Sequence, residues 1–246
     1  SLAPFVSQPL NVISMGSGHT SLLSAYTSNS IGIGNNFTLS LGLNAQLLTL
    51  NKSWTLEPRI GMKWQATSRS SFALAYGLHS RMEKMDVYYT QTPQTGDKLV
   101  NKDLDFTKAN HFMLTFDYKI SDDMILKIEP YYQFLFDVPV RPNDSYSVLN
   151  REDFYVEDAL VNRGRGKNIG VDVTLERYLN RGYYYMFTGS LFNSRYCGGD
   201  GVWHDTKFNR NFILNLLGGK EWMMGRNKQN ILSVNAKLTL QDRKSV

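Results

Sequence analysis

The sequence predicts an all-β fold, an antiparallel up-and-down transmembrane β-barrel. Three observations predict it. Apolar and polar residues alternate through most of the 246 residues, tight turns alternate with long connections, and the alternating segments outrun ordinary strands. Side chains of an extended chain point to opposite faces in turn, so period two marks a strand with two unlike surfaces.

About ten strands follow from this pattern. The first, 20–33, and the second, 37–50, meet at Gly34-Asn35-Asn36. In the second, Phe37, Leu39, Leu41 and Leu43 oppose Thr38, Ser40, Gly42 and Asn44. The third, 54–67, turns at Ser68-Arg69-Ser70 into the fourth, 71–90, where Phe72, Leu74, Tyr76 and Leu78 oppose Ala73, Ala75, Gly77 and His79. The fifth, 106–120, is the cleanest, with Phe112, Leu114, Phe116, Tyr118 and Ile120 against His111, Met113, Thr115, Asp117 and Lys119. After Ser121-Asp122-Asp123, the sixth, 124–140, sets Leu126, Ile128, Pro130, Tyr132, Phe134, Phe136 and Val138 against Lys127, Glu129, Tyr131, Gln133 and Asp137. The seventh, 160–179, opposes Ile169, Val171, Val173 and Leu175 to Gly170, Asp172, Thr174 and Glu176. Asn180-Arg181-Gly182 leads to the eighth, 183–197, and the ninth and tenth, 209–223 and 230–242, meet through 225–229. Helical periodicity is convincing nowhere.

Between the tight turns lie long connections at 91–105, 141–159 and 198–208, and only Asn51-Lys52-Ser53 breaks the rule. Short turns on one side and long loops on the other mark an outer-membrane barrel, with the short side periplasmic. A tilted strand needs about 9–11 residues to cross the hydrocarbon, against a usual strand of about 5–6. Tyr183, Tyr184, Tyr185, Trp222 and Tyr118 sit near turns. They fit an interfacial aromatic girdle, with cross-strand hairpin stabilisation as the alternative.

Composition narrows the class further. A fifth of the residues are charged and no stretch approaches the roughly 20 apolar residues of a membrane helix, while alternation hides the apolar content of a barrel. The net charge of +5 is scattered. Its densest cluster is Arg163, Arg165 and Lys167, and without a basic stripe no nucleic-acid partner is expected. Cys197, the single cysteine, excludes an internal disulfide framework and a cysteine zinc site. Ser1-Leu2-Ala3-Pro4-Phe5 has no signal-peptide character. A barrel must be exported, so the expectation is a removed signal or further upstream sequence.

Candidate chemistry is sparse. His19, His79, His111 and His204 show no metal-ligand spacing. His79 and His111 fall on polar strand faces, which points them into a lumen. Gly164-Arg165-Gly166-Lys167-Asn168-Ile169-Gly170 resembles a phosphate loop but has Asn168 where Ser or Thr is needed, and it opens a strand instead of a helix. Asp122-Asp123 is turn chemistry. Asp97, Asp103, Asp105, Asp144, Glu152, Asp153, Glu157 and Asp158 enrich the long loops, as solvated surface or, second, a calcium or ligand site. No catalytic, cofactor-binding or metal residue is assigned, no cofactor is expected, and the chain is not expected to be an enzyme.

Several stretches resemble the TonB-dependent receptors of the outer membrane. Leu56-Glu57-Pro58-Arg59-Ile60-Gly61 is similar to the E-P-R-x-G strand of those barrels. Lys127-Ile128-Glu129-Pro130-Tyr131-Tyr132-Gln133, running into Phe136-Asp137-Val138-Pro139-Val140, resembles the Bacteroidota type, whose receptors carry a carboxypeptidase-regulatory-like domain before the plug. Gly170 to Leu179, Gly182 to Tyr196 and Asn209 to Trp222 extend the likeness, so that it covers roughly 37–240. The resemblance implies a barrel of about 22 strands. Residues 1–246 would form one part of that barrel domain, with the plug, the TonB box and the C-terminal strands absent from this stretch. It implies an outer-membrane location and active uptake of a nutrient (siderophore, corrinoid, glycan or peptide). The implied partners are membrane lipid, the remaining barrel and plug, TonB and a surface lipoprotein. Two other readings stay open. One is a small complete outer-membrane barrel (porin, adhesin or barrel enzyme), which ten strands could close. The other is a soluble carbohydrate-binding β-protein.

Overall fold

The computed structural model describes residues 19–92, 98–151, 155–227 and 229–242. It is one antiparallel sheet of β1 (Leu22–Ile33), β2 (Phe37–Leu48), β3 (Ser53–Gln65), β4 (Ser70–Arg81), β5 (Thr107–Ser121), β6 (Met124–Val140), β7 (Val161–Asn180), β8 (Tyr183–Cys197), β9 (Trp203–Asp205), β10 (Asn211–Met224) and β11 (Asn230–Gln241). Neighbours in sequence are neighbours in space, except that β8 pairs with β10 and the short β9 lies off the path against β8. The sheet is open. β1 and β11 do not pair, and each is exposed along its whole length. A closed ten-strand barrel needs that pairing, so the structure does not have the small-barrel closure.

Pairing follows the alternation. Ile60, Tyr76, Phe112, Tyr132 and Ile169 are successive cross-strand partners, and all lie on one face. Aromatic rings run along that face as Phe37, Trp64, Phe72 and Phe116, with centroids 5.8, 5.8 and 4.9 Å apart. Strand β3 shows the scale of the apolar surface. Its outward residues are Trp54, Leu56, Pro58, Ile60, Met62 and Trp64, a tryptophan at each end, ten residues apart. At about 3.4 Å per residue and a tilt of about 45°, that span covers about 24 Å, against the roughly 25 Å apolar band of an outer-membrane barrel.

The E-P-R-x-G segment has a physical reading in this sheet. The β3–β4 ladder runs from Gln65↔Ser71 to Arg59↔Gly77 and stops where Pro58, which has no N–H to donate, comes next. Beyond the stop, the Ser80 N–H donates to Glu57 Oε1 at 3.2 Å, so a side-chain carboxylate accepts what the ladder no longer can.

Four details differ from the expected elements. The strand expected over 71–90 ends at Arg81, and Met85–Tyr88 forms a four-residue α-helix, α1. Met82, Met85 and Tyr88 recur at helical spacing, but one turn is too short to show as a period, and their apolar side chains are claimed by a loop core. The connection expected over 198–208 contains β9, which makes eleven strands in place of ten. The outward face of β6 ends at Phe136, because Asp137, at φ 53°, forms a bulge and the register shifts. Val138 then turns under the loops and is buried with Val140.

Candidate functional site

The polar faces of the strands line one concavity of about 1130 Å³. Its wall is a cross-strand row in which Ser28, Gly42, Arg59, Gly77, His111, Gln133, Asn168 and Ser194 partner one another in turn from β1 to β8. The right half of that row is a directed chain of hydrogen bonds. Ser194 Oγ donates to Asn168 Oδ1 at 2.6 Å, and Asn168 Nδ2 donates to Gln133 Oε1 at 2.9 Å. Gln133 Nε2 then lies 3.3 Å from His111 Nδ1, which accepts if the imidazole proton sits on Nε2. The His79 ring lies 4.6 Å from that of His111, centroid to centroid. Thus the structure brings together two histidines that are 32 positions apart in sequence. The Gly77↔His111 register does this, since His79 folds back over Gly77.

Beside the histidines, Glu57 is 1% exposed and fully engaged. It accepts from Asn44 at 3.0 Å, Gln46 at 2.5 Å and Ser80 Oγ, and pairs with Arg59 at 3.1 Å. A buried carboxylate with that many donors is a fixed anchor of the wall and leaves no lone pair for a solute.

The long loops roof the concavity. Leu48, Val87, Tyr88, Leu104, Phe106, Val156 and Leu160 form a buried core from the β2 end and the connections after β4 and β6. Polar bonds lock these connections together. Asn101 Nδ2 donates to Asp158 O at 2.9 Å, Leu160 N donates to Asn101 Oδ1 at 2.8 Å, and Asn51 Nδ2 donates to Leu104 O at 2.8 Å. The third loop joins through Lys207 N, which donates to Asn150 Oδ1 at 2.7 Å, and through the Pro142↔Gly199 bridge. Leu149, Thr206 and Phe208 reach down to line the concavity.

Two of the loop acids are structural. Asp144 and Asp158 both bind Arg141, the first at 2.8 Å. The Arg141 guanidinium and the Tyr146 N–H hold the Asp144 carboxyl below the usual carboxylate range. His204 meets Asp200 at 2.7 Å. Asp97, Glu152 and Asp153 lie outside the described residues, as does Ser1 to Phe5. Among the described residues no three His, Cys, Asp or Glu side chains are grouped to hold a metal ion. Residues 164–170 are strand β7, with no helix behind them. Asp123 is turn chemistry, accepting from Ser121 at 2.5 Å and Asn180 at 2.8 Å and pairing with Arg177 at 2.8 Å.

No protein-family model matches the chain, and no curated protein matches it in sequence. Solved structures do match. The ferric yersiniabactin uptake receptor FyuA of Yersinia pestis matches with a TM-score of 0.65 at 12% identity, over 90% of this chain and 34% of its own. The outer membrane transporter YddB of Escherichia coli matches with 0.62 at 13%, over 90% and 38%. The FrpB iron transporter of Neisseria meningitidis (F3-3 variant) matches with 0.56 at 15%, over 92% and 39%. The chain therefore spans little more than a third of these proteins. Its fold is that of a contiguous wall segment of an outer-membrane receptor β-barrel.

Proposed function

We propose that this chain is part of the barrel of a TonB-dependent outer-membrane receptor that takes up a nutrient actively. One observation carries the reading: a single sheet has an apolar outward face about one membrane thick, a hydrogen-bonded polar inward face, and three interlocked loops at one end only. Lipid meets the first face. The remaining barrel strands continue from the open edges of β1 and β11, and a plug fills the lumen against the polar row. The loops are the external, solute-meeting end, and TonB acts on the plug from the turn side. The E-P-R-x-G and E-P-Y-Y-Q strands support the Bacteroidota type with its carboxypeptidase-regulatory-like domain, and a surface lipoprotein over the loops fits that type. The nutrient is a siderophore, corrinoid, glycan or peptide. FyuA is a ferric yersiniabactin uptake receptor and FrpB an iron transporter, which favours testing iron chelates first.

The test is uptake of a labelled panel of these four classes by cells with and without the gene, with and without a protonophore. One class should lose uptake on deletion and on de-energisation alike. Uptake that needs the gene but persists with the protonophore would identify a passive pore and overturn the reading.

A further inference from the structure

The Arg163-Gly164-Arg165-Gly166-Lys167 segment fails as a phosphate loop, yet the sheet gives it another role. Over residues 163–166 of β7, exposed and buried residues alternate. Gly164 and Gly166 are buried, and a Cβ on the first would strike Val140 at the end of β6 at 2.3 Å and one on the second Leu149 of the loop roof at 2.7 Å. Arg163 and Arg165 are thereby turned out, and both are exposed. Lys167 shares that outward face, since it partners Phe134 on one side and Arg195 on the other. Below it the same face is wholly apolar through Ile169, Val171, Val173 and Leu175, until Arg177.

Lys167 and Arg177 are ten residues apart, as are the two tryptophans of β3. The two cations therefore stand at the two rims of the apolar band. Their surroundings differ. Arg177, at the turn rim, is neutralised by Asp123 at 2.8 Å and stacks on Tyr183 at 4.3 Å. At the loop rim, Arg163, Arg165 and Lys167 have no ion pair among the described residues, and the Lys167 ammonium lies 4.5 Å from the centre of the Trp203 ring. Unpaired arginines and a lysine beside an interfacial tryptophan, continuous with a lipid-facing surface, match anionic headgroups in charge and depth.

We infer that Arg163, Arg165 and Lys167 form a site on the outer wall for the headgroup phosphates of an outer-leaflet lipid. The inference rests on the barrel reading above. Lys167 stays over Trp203 and meets the phosphate nearest the hydrocarbon. The two guanidiniums, one and two steps further out along the strand, take phosphate oxygens in bidentate fashion.

The test uses the product of the complete reading frame, purified in detergent and examined by native mass spectrometry. The probes are bis-phosphorylated lipid A, dephosphorylated lipid A and inorganic phosphate. The expected result is retention of the phosphorylated lipid alone. Its affinity should fall at least tenfold in the triple variant Arg163→Gln, Arg165→Gln, Lys167→Gln and hold in the charge-matched inward triple Lys63→Gln, Lys119→Gln, Lys237→Gln. Equal retention of both lipids, equal loss in both triples, or competition by inorganic phosphate would overturn the site. Insertion of wild type and variants into zwitterionic bilayers is scored separately. If wild type fails to insert, the barrel reading falls and takes this site with it. If all insert and the lipid result is negative, only this site falls.

Discussion

The two ends of the sheet are held by different means. At the turn end each connection is satisfied by its own residues or its nearest neighbours. Arg181 and Gly182, at φ 53° and 79°, close a two-residue hairpin of the primed kind, and Asp123 ties that turn to the one between β5 and β6. At the loop end no connection stands alone. The segments after β4 and β6 share one apolar core, the segment after β8 joins them through Lys207 and Asn150, and these contacts span more than fifty positions of sequence, as that of Asn101 with Asp158 does. The contrast teaches where cooperativity lies. A change at the turn end should stay local, whereas a change in the roof should loosen every loop while leaving the sheet paired.

The largest effect is expected from Phe106→Ala, which empties the centre of the roof core at a cost of about 3–5 kcal/mol. Limited proteolysis should then cut all three loops, while the sheet keeps its resistance to unfolding in detergent. Loss of the sheet as well would show that roof and wall are one unit. Next is Asn101→Ala, which orphans the Leu160 N–H and the Asp158 carbonyl, for about 1–3 kcal/mol. Amide exchange should rise on both sides of the β4–β5 and β6–β7 connections together. At the turn end Gly182→Ala places a Cβ 2.6 Å from the Glu221 carbonyl in a left-handed conformation, for about 1–3 kcal/mol. Its exchange should rise in the β7–β8 hairpin alone, and spread to the loops would erase the contrast between the ends.

The smallest effect is a pH dependence. The Ser121 hydroxyl, then Asn180 and Arg177, hold the Asp123 carboxyl below its usual value. A depressed carboxyl contributes above the unfolded pKa of about 3.9. Its contribution is lost as pH falls through the lower folded value. Asp123→Asn should therefore narrow the difference in melting temperature from wild type as pH is lowered from neutral through that range. A difference that is constant with pH would mean that the carboxylate charge does not tie the turns.

Most of the wall was legible in the sequence because period two and turn residues are local signals. The sixth strand, expected over 124–140, is found as Met124–Val140, and the polar faces expected to line a lumen do line the concavity. The roof was not legible. Its core residues Leu48, Val87, Phe106 and Val156 are spread over the end of β2 and the two connections after β4 and β6, with no period to link them. The His79–His111 contact was hidden for a related reason. The alternation puts each histidine on a polar face, but their meeting depends on a cross-strand register that Gly77↔His111 fixes only in the folded sheet. The bulge at Asp137 was equally invisible, since nothing in Phe136-Asp137-Val138 departs from alternation.

The central claim is that one face of this sheet meets lipid and the other meets water. The most direct measurement is a spin-label scan of Phe112 to Asp117 in β5, one cysteine at a time in a Cys197→Ala background, in reconstituted bilayers. Labels at 112, 114 and 116 should collide with dissolved oxygen and those at 113, 115 and 117 with a water-soluble nickel chelate. Equal accessibility along the strand, or the opposite phase, would contradict the assignment of faces on which the proposed lumen and lipid site both depend.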